Sequence, residues 1–406
     1  MAESPTQLAQ LAQLARRVAG AVFERRVMEE TYRFISVLSP TGAEAEFAGL
    51  YAGTLDDLGL EVRLDEEFPS SPSVVARLEG IGGGPTLQLD GHTDTVPVSH
   101  DESSIDLAGG VVRGRGAADM KGGLAAICEA VRALKETGVR LAGDVLVTAH
   151  GLHEAPLGDQ RTLRSLLRRG IAGDAAVIAE LGHDHLATAS RGMSIFRIRV
   201  HREGAPMHEV ELREPSSNPI AAVRLLLDRL DELAAALAGK PDDFAGPETL
   251  FLGEVHSGDF YNRVPVEATL VGTRRYRPPA TTEQVRAELE ALSREVAVET
   301  GLDIEVGLQE VGPAYALDRG EPVITAVRNG YEAVVGGDLP LAAAQAVGNA
   351  ADFVSFGVPA VYHGVNQRTA HSDDEHVSGS DLARAARVLA ASVIYFCGVE
   401  EKETTR

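Results

Sequence analysis

Short apolar runs, each bounded by Gly, Pro or Asp, alternate with longer stretches of helical periodicity through the first half of the chain. SVVARL (73–78), TLQLDG (86–91), DVLVTAH (144–150) and AAVIAE (175–180) have the length and the boundaries of buried strands. Between the second and third, Leu124, Ile127, Cys128, Val131 and Leu134 recur at helical spacing, and Gly138 offers a stop. Such alternation predicts an α/β sandwich, with ligands at the carboxyl ends of the strands. The pattern changes near Arg191. In SIFRIRVHRE, Phe196, Ile198 and Val200 alternate with Arg197, Arg199 and His201, as in a half-solvated antiparallel strand. A helix from Ser217 to about Ala238, the strand VEATLVGTRRY, a helix opening at TTEQVRAELEAL and the strand LDIEVGL follow. That order predicts a small α+β domain, 191–308, inserted between two parts of the larger one, 1–190 and 309–406. The larger domain resumes with VITAVRNGYEAVV, PAVYHG and a closing helix from SDLARAARVL. GIGGGPT reads as a hairpin turn, since no Lys-Ser/Thr pair or helix follows to make it a phosphate loop.

At 406 residues the chain is too long for one compact core, which agrees with two domains. Its net charge of −22 opposes overall attraction to nucleic acid or to an anionic membrane, and leaves the charge of a local site open. No run approaches the ~20 apolar residues of a membrane span. MAESPTQLAQLAQLARRV lacks the basic and long apolar regions of a secretory signal, so a cytoplasmic location is expected. Leu8, Leu11 and Val18 in it predict an amphipathic helix lying on the body of the protein. Cys128 and Cys397 fall on apolar helical stripes and read as buried thiols in a reducing compartment.

The chemistry lies in acidic and histidine residues at strand ends and loops. They are His92 and Asp94 in LDGHTDTVPV, Asp119 in GRGAADMKGG, Glu154 in AHGLHEAP, Glu180 in VIAELG, and His371 in TAHSDDEHV. Taken singly, each has a bland reading: a solvated turn for His92 and Asp94, a helix cap for Asp119, an exposed loop for His371. Taken together, two imidazoles and three carboxylates can hold a pair of divalent metals if one carboxylate bridges them.

On these motifs the chain resembles the di-zinc aminoacylase and carboxypeptidase family, which includes acetylornithine deacetylase, succinyl-diaminopimelate desuccinylase and glutamate carboxypeptidase. LQLDGHTDTVPV and GRGAADMKGGLAA carry most of the likeness, with VIAELG and AHSDDEHV beside them. The resemblance implies a mixed-sheet α/β/α metallohydrolase domain with an inserted α+β domain that acts as lid and homodimer interface. It implies one metal on His92 and Glu180, a second on Glu154 and His371, Asp119 as the bridge, Asp94 orienting His92, and a cis peptide at Asp119–Met120. In the insert it implies that His208 enters an active site, across the dimer, and that Asn262 and Arg275 contact substrate. Zinc is the implied metal, and cobalt or manganese would suit the same donors. The implied substrate is a small carboxylate-bearing amide: an N-acyl amino acid, or a dipeptide or C-terminal residue.

One position departs from the family pattern. Two adjacent glutamates are expected at the fourth motif, the first as general base and the second as ligand; here the pair is His153–Glu154. Three readings stay open: His153 is the base, another group replaces it, or the chain is a non-catalytic relative that binds metal and ligand. An imidazole beside two dications is disfavoured in its protonated form, so a lowered basicity is expected.

Overall fold

Strands covered on both faces are mostly apolar and carry polar side chains only where these find buried partners, and three segments are covered in full. Every residue of Leu87–His92, Val145–His150 and Ala175–Ile178 is buried. In the computed structural model, which describes residues 4–97, 105–240, 246–344 and 346–400, they form the middle of a mixed sheet. Val145–His150, Leu87–His92, Ala175–Ile178 and Ala360–Tyr362 run parallel in that spatial order. Ser73–Leu78 and then Glu61–Asp65 add antiparallel strands on one side. The helices Lys121–Glu136, Pro322–Val334 and Gly379–Cys397 pack together over the sheet. Cys128 and Cys397 are free and buried within this layer.

Glycine sets two close approaches here. A Cβ at Gly123 would lie 2.1 Å from the Ala179 carbonyl oxygen, so only glycine lets that helix start against the strand end that carries Glu180. The GIGGGPT segment does not make the hairpin expected of it. Ser73–Leu78 and Leu87–His92 are not neighbours, because Val145–His150 lies between them. Two of its glycines serve packing: a Cβ at Gly80 would meet the Gly143 carbonyl oxygen at 2.3 Å, and one at Gly84 the Cys397 carbonyl oxygen at 2.1 Å and the Gly143 nitrogen at 2.4 Å.

The chain divides into two compact units. The first comprises Met1–Thr188, Leu317–Ala344 and Gly348–Arg406, and the second Ala189–Ala316 with Gln345–Val347. The second unit is a four-stranded antiparallel sheet in the order Thr249–Ser257, Glu267–Tyr276, Gly192–His201, Asp303–Gly312. Alternation along Gly192–His201 puts Phe196, Ile198 and Val200 into a core with Leu226 and Leu230 of the helix Pro219–Ala238 and Leu289 and Val296 of the helix Thr282–Thr300. Asn218 caps the first of these helices, and Thr281 with Gln284 forms a capping box on the second. Thr249–Ser257 was absent from the sequence reading. A bulge between Leu252 and Glu254 breaks its alternation, and most of it is exposed. Among the described residues no helix is long and apolar enough to cross a membrane.

Candidate metal centre

The parallel strands deliver their ends to one place in the first unit. His92 closes Leu87–His92, Glu154 follows Val145–His150 within four residues, and Glu180 follows Ala175–Ile178 within two. Asp119 sits at the start of the helix Lys121–Glu136, and His371 on the loop after Ala360–Tyr362. The five side chains converge. The Asp119 carboxylate faces His92 Nε2 through Oδ1 and His371 Nε2 through Oδ2, both at 3.1 Å. Glu180 lies 3.8 Å from His92 Nε2, and Glu154 lies 3.1 Å from His371 Nε2. The Asp119–Met120 peptide is cis. Three non-glycine residues in the left-handed region, Leu152, Leu181 and His371, border the cluster, where such backbone is found when surrounding structure enforces it.

Asp94 acts through two different atoms. Its backbone carbonyl, 2.9 Å from His92 Nδ1, orients that ring, whereas its carboxylate Oδ1 stands off at 3.6 Å. Oδ2 instead accepts the backbone N–H groups of His153 at 3.0 Å and Glu154 at 2.7 Å, and the Thr41 hydroxyl at 3.0 Å. Asp94 thus ties the loop of the fourth motif to the loop of the first. Sequence reasoning missed two further contributors. The Glu375 Oε1 accepts the N–H groups of Gly116, Ala118 and Asp119, each at 3.0 Å, and so shapes the loop that presents Asp119. The Gln367 amide reaches Asp119 at 3.0 Å and Glu180 at 3.4 Å. Glu375 lies inside TAHSDDEHV, where its acidic neighbours hide it. Gln367 carried no signal.

The charges test whether cations fit. Burial pushes the Glu180 carboxyl up to about 8; His92 opposes that shift and Asp119 adds to it. Burial alone would lower the His92 imidazole, but contact with Asp119 and Asp94 raises it well above its ordinary value. Contact with Asp119 and Glu154 raises His371 to about 10. In the metal-free protein the cluster therefore offsets its carboxylate charge with protons on Glu180, His92 and His371, which divalent cations can displace. Its donor set fits two divalent cations, which would leave the imidazoles neutral and the carboxylates ionised.

His153 packs flat on His92, with ring centroids 4.1 Å apart and planes within 5°. A ligating atom of His153 lies within 4.8 Å of those of His92 and Glu180. Two parallel stacked rings nevertheless cannot both aim in-plane lone pairs at one ion about 2.1 Å away, so His153 does not share a cation with His92. Burial lowers its basicity, and the His92 ring adds to that.

His208, Asn262 and Arg275 belong to the second unit. Met207–His208 pairs with Arg263–Val264, and His208 Nε2 lies 3.2 Å from Asn262 Nδ2. Arg275 stands on Glu267–Tyr276, and its Nη1 is buried without a partner among the described residues. Its neighbour Arg274 is committed to Glu248 at 2.5 Å and Glu288 at 3.0 Å. Burial pushes the Glu248 carboxyl up, but Arg274, with Lys240, more than offsets this and holds it below its ordinary value. Such a depressed group stabilises the fold above its unfolded pKa of about 4.3, and loses that contribution as pH falls through the folded value. Arg274→Leu is therefore expected to cost about 3 kcal/mol at pH 7, the low end for a broken buried pair, because Lys240 and Arg277 still face Glu248. The deficit should shrink below about pH 4. Denaturant titrations of both proteins at the two pH values check this; a deficit that does not change with pH would refute it.

Imidazoles interleaved with carboxylates at the carboxyl ends of a mixed sheet define a metal-dependent hydrolase. The chain belongs to peptidase family M20/M25/M40, whose model matches residues 88–394. It is 24% identical over 384 residues to an N-formyl-4-amino-5-aminomethyl-2-methylpyrimidine deformylase of Bacillus subtilis (strain 168), covering 87% of this chain and 89% of that protein. It is 29% identical over 380 residues to a succinyl-diaminopimelate desuccinylase of Methylobacterium nodulans, covering 88% and 93%. Aminopeptidase PepT from Bacillus cereus ATCC 10987 shares the fold, with a TM-score of 0.79 at 20% identity over 93% of this chain and 100% of that one. The family resemblance read from the motifs is borne out, and the chain is a hydrolase acting on C–N bonds.

Proposed function

We propose that the chain is a two-metal amidohydrolase that removes the acyl group from an N-acyl amino acid. The observation that carries this reading is the Asp119 carboxylate, whose two oxygens face two different imidazoles at 3.1 Å. One cation, zinc by first choice, would be held by His92 and Glu180 and the other by Glu154 and His371, with Asp119 shared. Bound there, the cations supply a water nucleophile at neutral pH and polarise the substrate carbonyl. His153 takes the water's proton and hands it to the leaving nitrogen. Asp94 holds the loop that presents His153 and Glu154. His208 stabilises the developing oxyanion, while Asn262 and Arg275 hold the substrate carboxylate. The unpartnered Arg275 Nη1 supports that last role, whereas Arg274 is already paired.

We assign the second unit to homodimerisation. Thr249–Ser257 is an edge strand that exposes Phe251 and Val255, a surface that invites pairing. Light scattering at micromolar concentration should give twice the 42.9 kDa chain mass; a monomer there refutes the assignment.

The reaction is tested by screening N-acyl amino acids and dipeptides against zinc-, cobalt- and manganese-loaded protein, with release of free amine as the readout. The lowered basicity of His153 favours a second reading, a relative that binds metal and ligand without turnover. Amine release from an N-acyl amino acid supports the first reading. Full metal loading with no turnover on any substrate supports the second.

A further inference from the structure

Beneath the carboxyl ends of the sheet lies a buried polar chain with no place in the chemistry above. Gln88 donates to the Thr148 hydroxyl at 2.6 Å, and Thr148 donates to Asp90 Oδ1 at 2.5 Å. Asn349 Nδ2 donates to Asp90 Oδ2 at 3.2 Å, and it also lies 3.1 Å from His150 Nε2. Asn349 Oδ1 then lies 2.7 Å from His153 Nδ1. Asp90, Thr148, His150 and Asn349 are all fully or almost fully buried, so none can exchange these partners for water.

The order of donors along this chain fixes a proton. Thr148 donates to Asp90 Oδ1, and Asp90 Oδ2 has two neighbours, His150 Nε2 at 3.3 Å and Asn349 Nδ2 at 3.2 Å. A carboxylate only accepts, so Asn349 turns its NH₂ to Asp90 and its oxygen to His153. A carbonyl oxygen 2.7 Å from a ring nitrogen is stable only if that nitrogen carries hydrogen. Nδ1 of His153 is therefore the N–H, and Nε2 is bare. Gln160 also approaches Nδ1, with its amide nitrogen at 2.8 Å and its Oε1 buried without a partner; a half-turn that aimed Oε1 at Nδ1 would move the missing partner to the amide nitrogen, so Asn349 and Asp90, not Gln160, set the tautomer.

We propose that Asp90 and Asn349 form a relay that locks the tautomer of His153, placing the proton on Nδ1 and leaving Nε2 bare. Asn349 is then a positioning residue for the base of this chain. A glutamate base needs no such device, since either of its oxygens accepts a proton. A neutral imidazole has one bare nitrogen, and it must be the one facing the water. The catalytic part of this proposal rests on His153 being the base.

Selective ¹⁵N labelling of histidine in the metal-free full chain reads the tautomer directly, from long-range ¹H–¹⁵N correlations. The His153 signals are assigned by their loss in His153→Ala. Wild type is expected to show a protonated Nδ1 and a bare Nε2. In Asn349→Ala the two tautomers should mix, and the metal-loaded variant should lose kcat by about 10- to 100-fold, the cost of removing a group that orients an imidazole, with KM and metal content held. Asp90→Asn frees the Asn349 amide to turn and should mix the tautomers while Asn349 remains, which keeps the test open if the alanine variant does not fold. An unmixed Nδ1–H tautomer in both variants overturns the relay and leaves the base reading standing, whereas an Nε2–H tautomer in wild type overturns the relay and removes the bare Nε2 that the base reading uses. Unchanged kcat in His153→Ala overturns the base reading, and with it the catalytic role of Asn349, whatever the tautomer.

Discussion

Asp119→Ala is expected to yield a folded protein that retains neither metal ion and has lost amide hydrolysis by at least about 10³-fold, the loss of several kcal/mol of transition-state stabilisation. Among the described residues, Asp119 is the one carboxylate in contact with an imidazole from each half of the cluster. Removing any other ligand would weaken one half, but removing Asp119 takes a donor from both. Folding should survive, because the loop around Asp119 is held by Glu375 through the backbone N–H groups of Gly116, Ala118 and Asp119, which the substitution leaves in place. Elemental analysis after dialysis counts the ions. A thermal melt with and without added zinc gives an independent reading, since a ligand that binds the native state raises its stability by mass action. Wild type should gain stability with zinc and the variant should not. A variant that keeps both ions would remove Asp119 from the bridging position, and with it the basis of the two-metal reading.

His153→Ala is expected to lower turnover by about 10²–10⁴-fold, the range for loss of a general base, with both ions retained. Retention follows from the parallel stacking of His153 on His92, which keeps it from being a second donor to the same ion. His153→Glu is the sharper test. A glutamate that accepts the proton becomes neutral, whereas the imidazole becomes a cation beside two others, in a site where burial and His92 already lower its basicity. If the chain carries out ordinary amide hydrolysis, His153→Glu should equal or exceed wild type on N-acyl amino acids. Loss of the native activity in that variant would mean a pocket tuned to another reaction. Turnover that appears only in His153→Glu would identify the wild-type chain as a non-catalytic relative. An unchanged rate in His153→Ala would remove His153 from the mechanism.

Much of this architecture could be read from the chain. The buried strands were legible because they are short, largely apolar and bounded by Gly, Pro or Asp, and the helix Lys121–Glu136 because its stripe repeats at helical spacing. The edge strand Thr249–Ser257 was not legible, since a bulge and broad exposure erase its period. The GIGGGPT segment was misread, because three glycines signal a turn equally well whether they close a hairpin or let two backbones pass. One signal was present and unused. Asp90 sits in the middle of a fully buried strand, where a carboxylate without partners would be very costly.

The sequence by itself determined which elements form and which residue types stand at their ends, because those depend on local periodicity and on side-chain chemistry. Tertiary structure alone decided which atoms meet. Asp90 and Asn349 are 259 positions apart, and Gly116 and Glu375 likewise, so no local pattern links them. It decided that Asp94 orients His92 through a carbonyl and spends its carboxylate on the His153–Glu154 loop. It also decided that His153 Nδ1 meets Asn349, which in turn meets the buried Asp90 carboxylate, and a hydrogen bond has direction that a one-dimensional pattern of residue types does not encode.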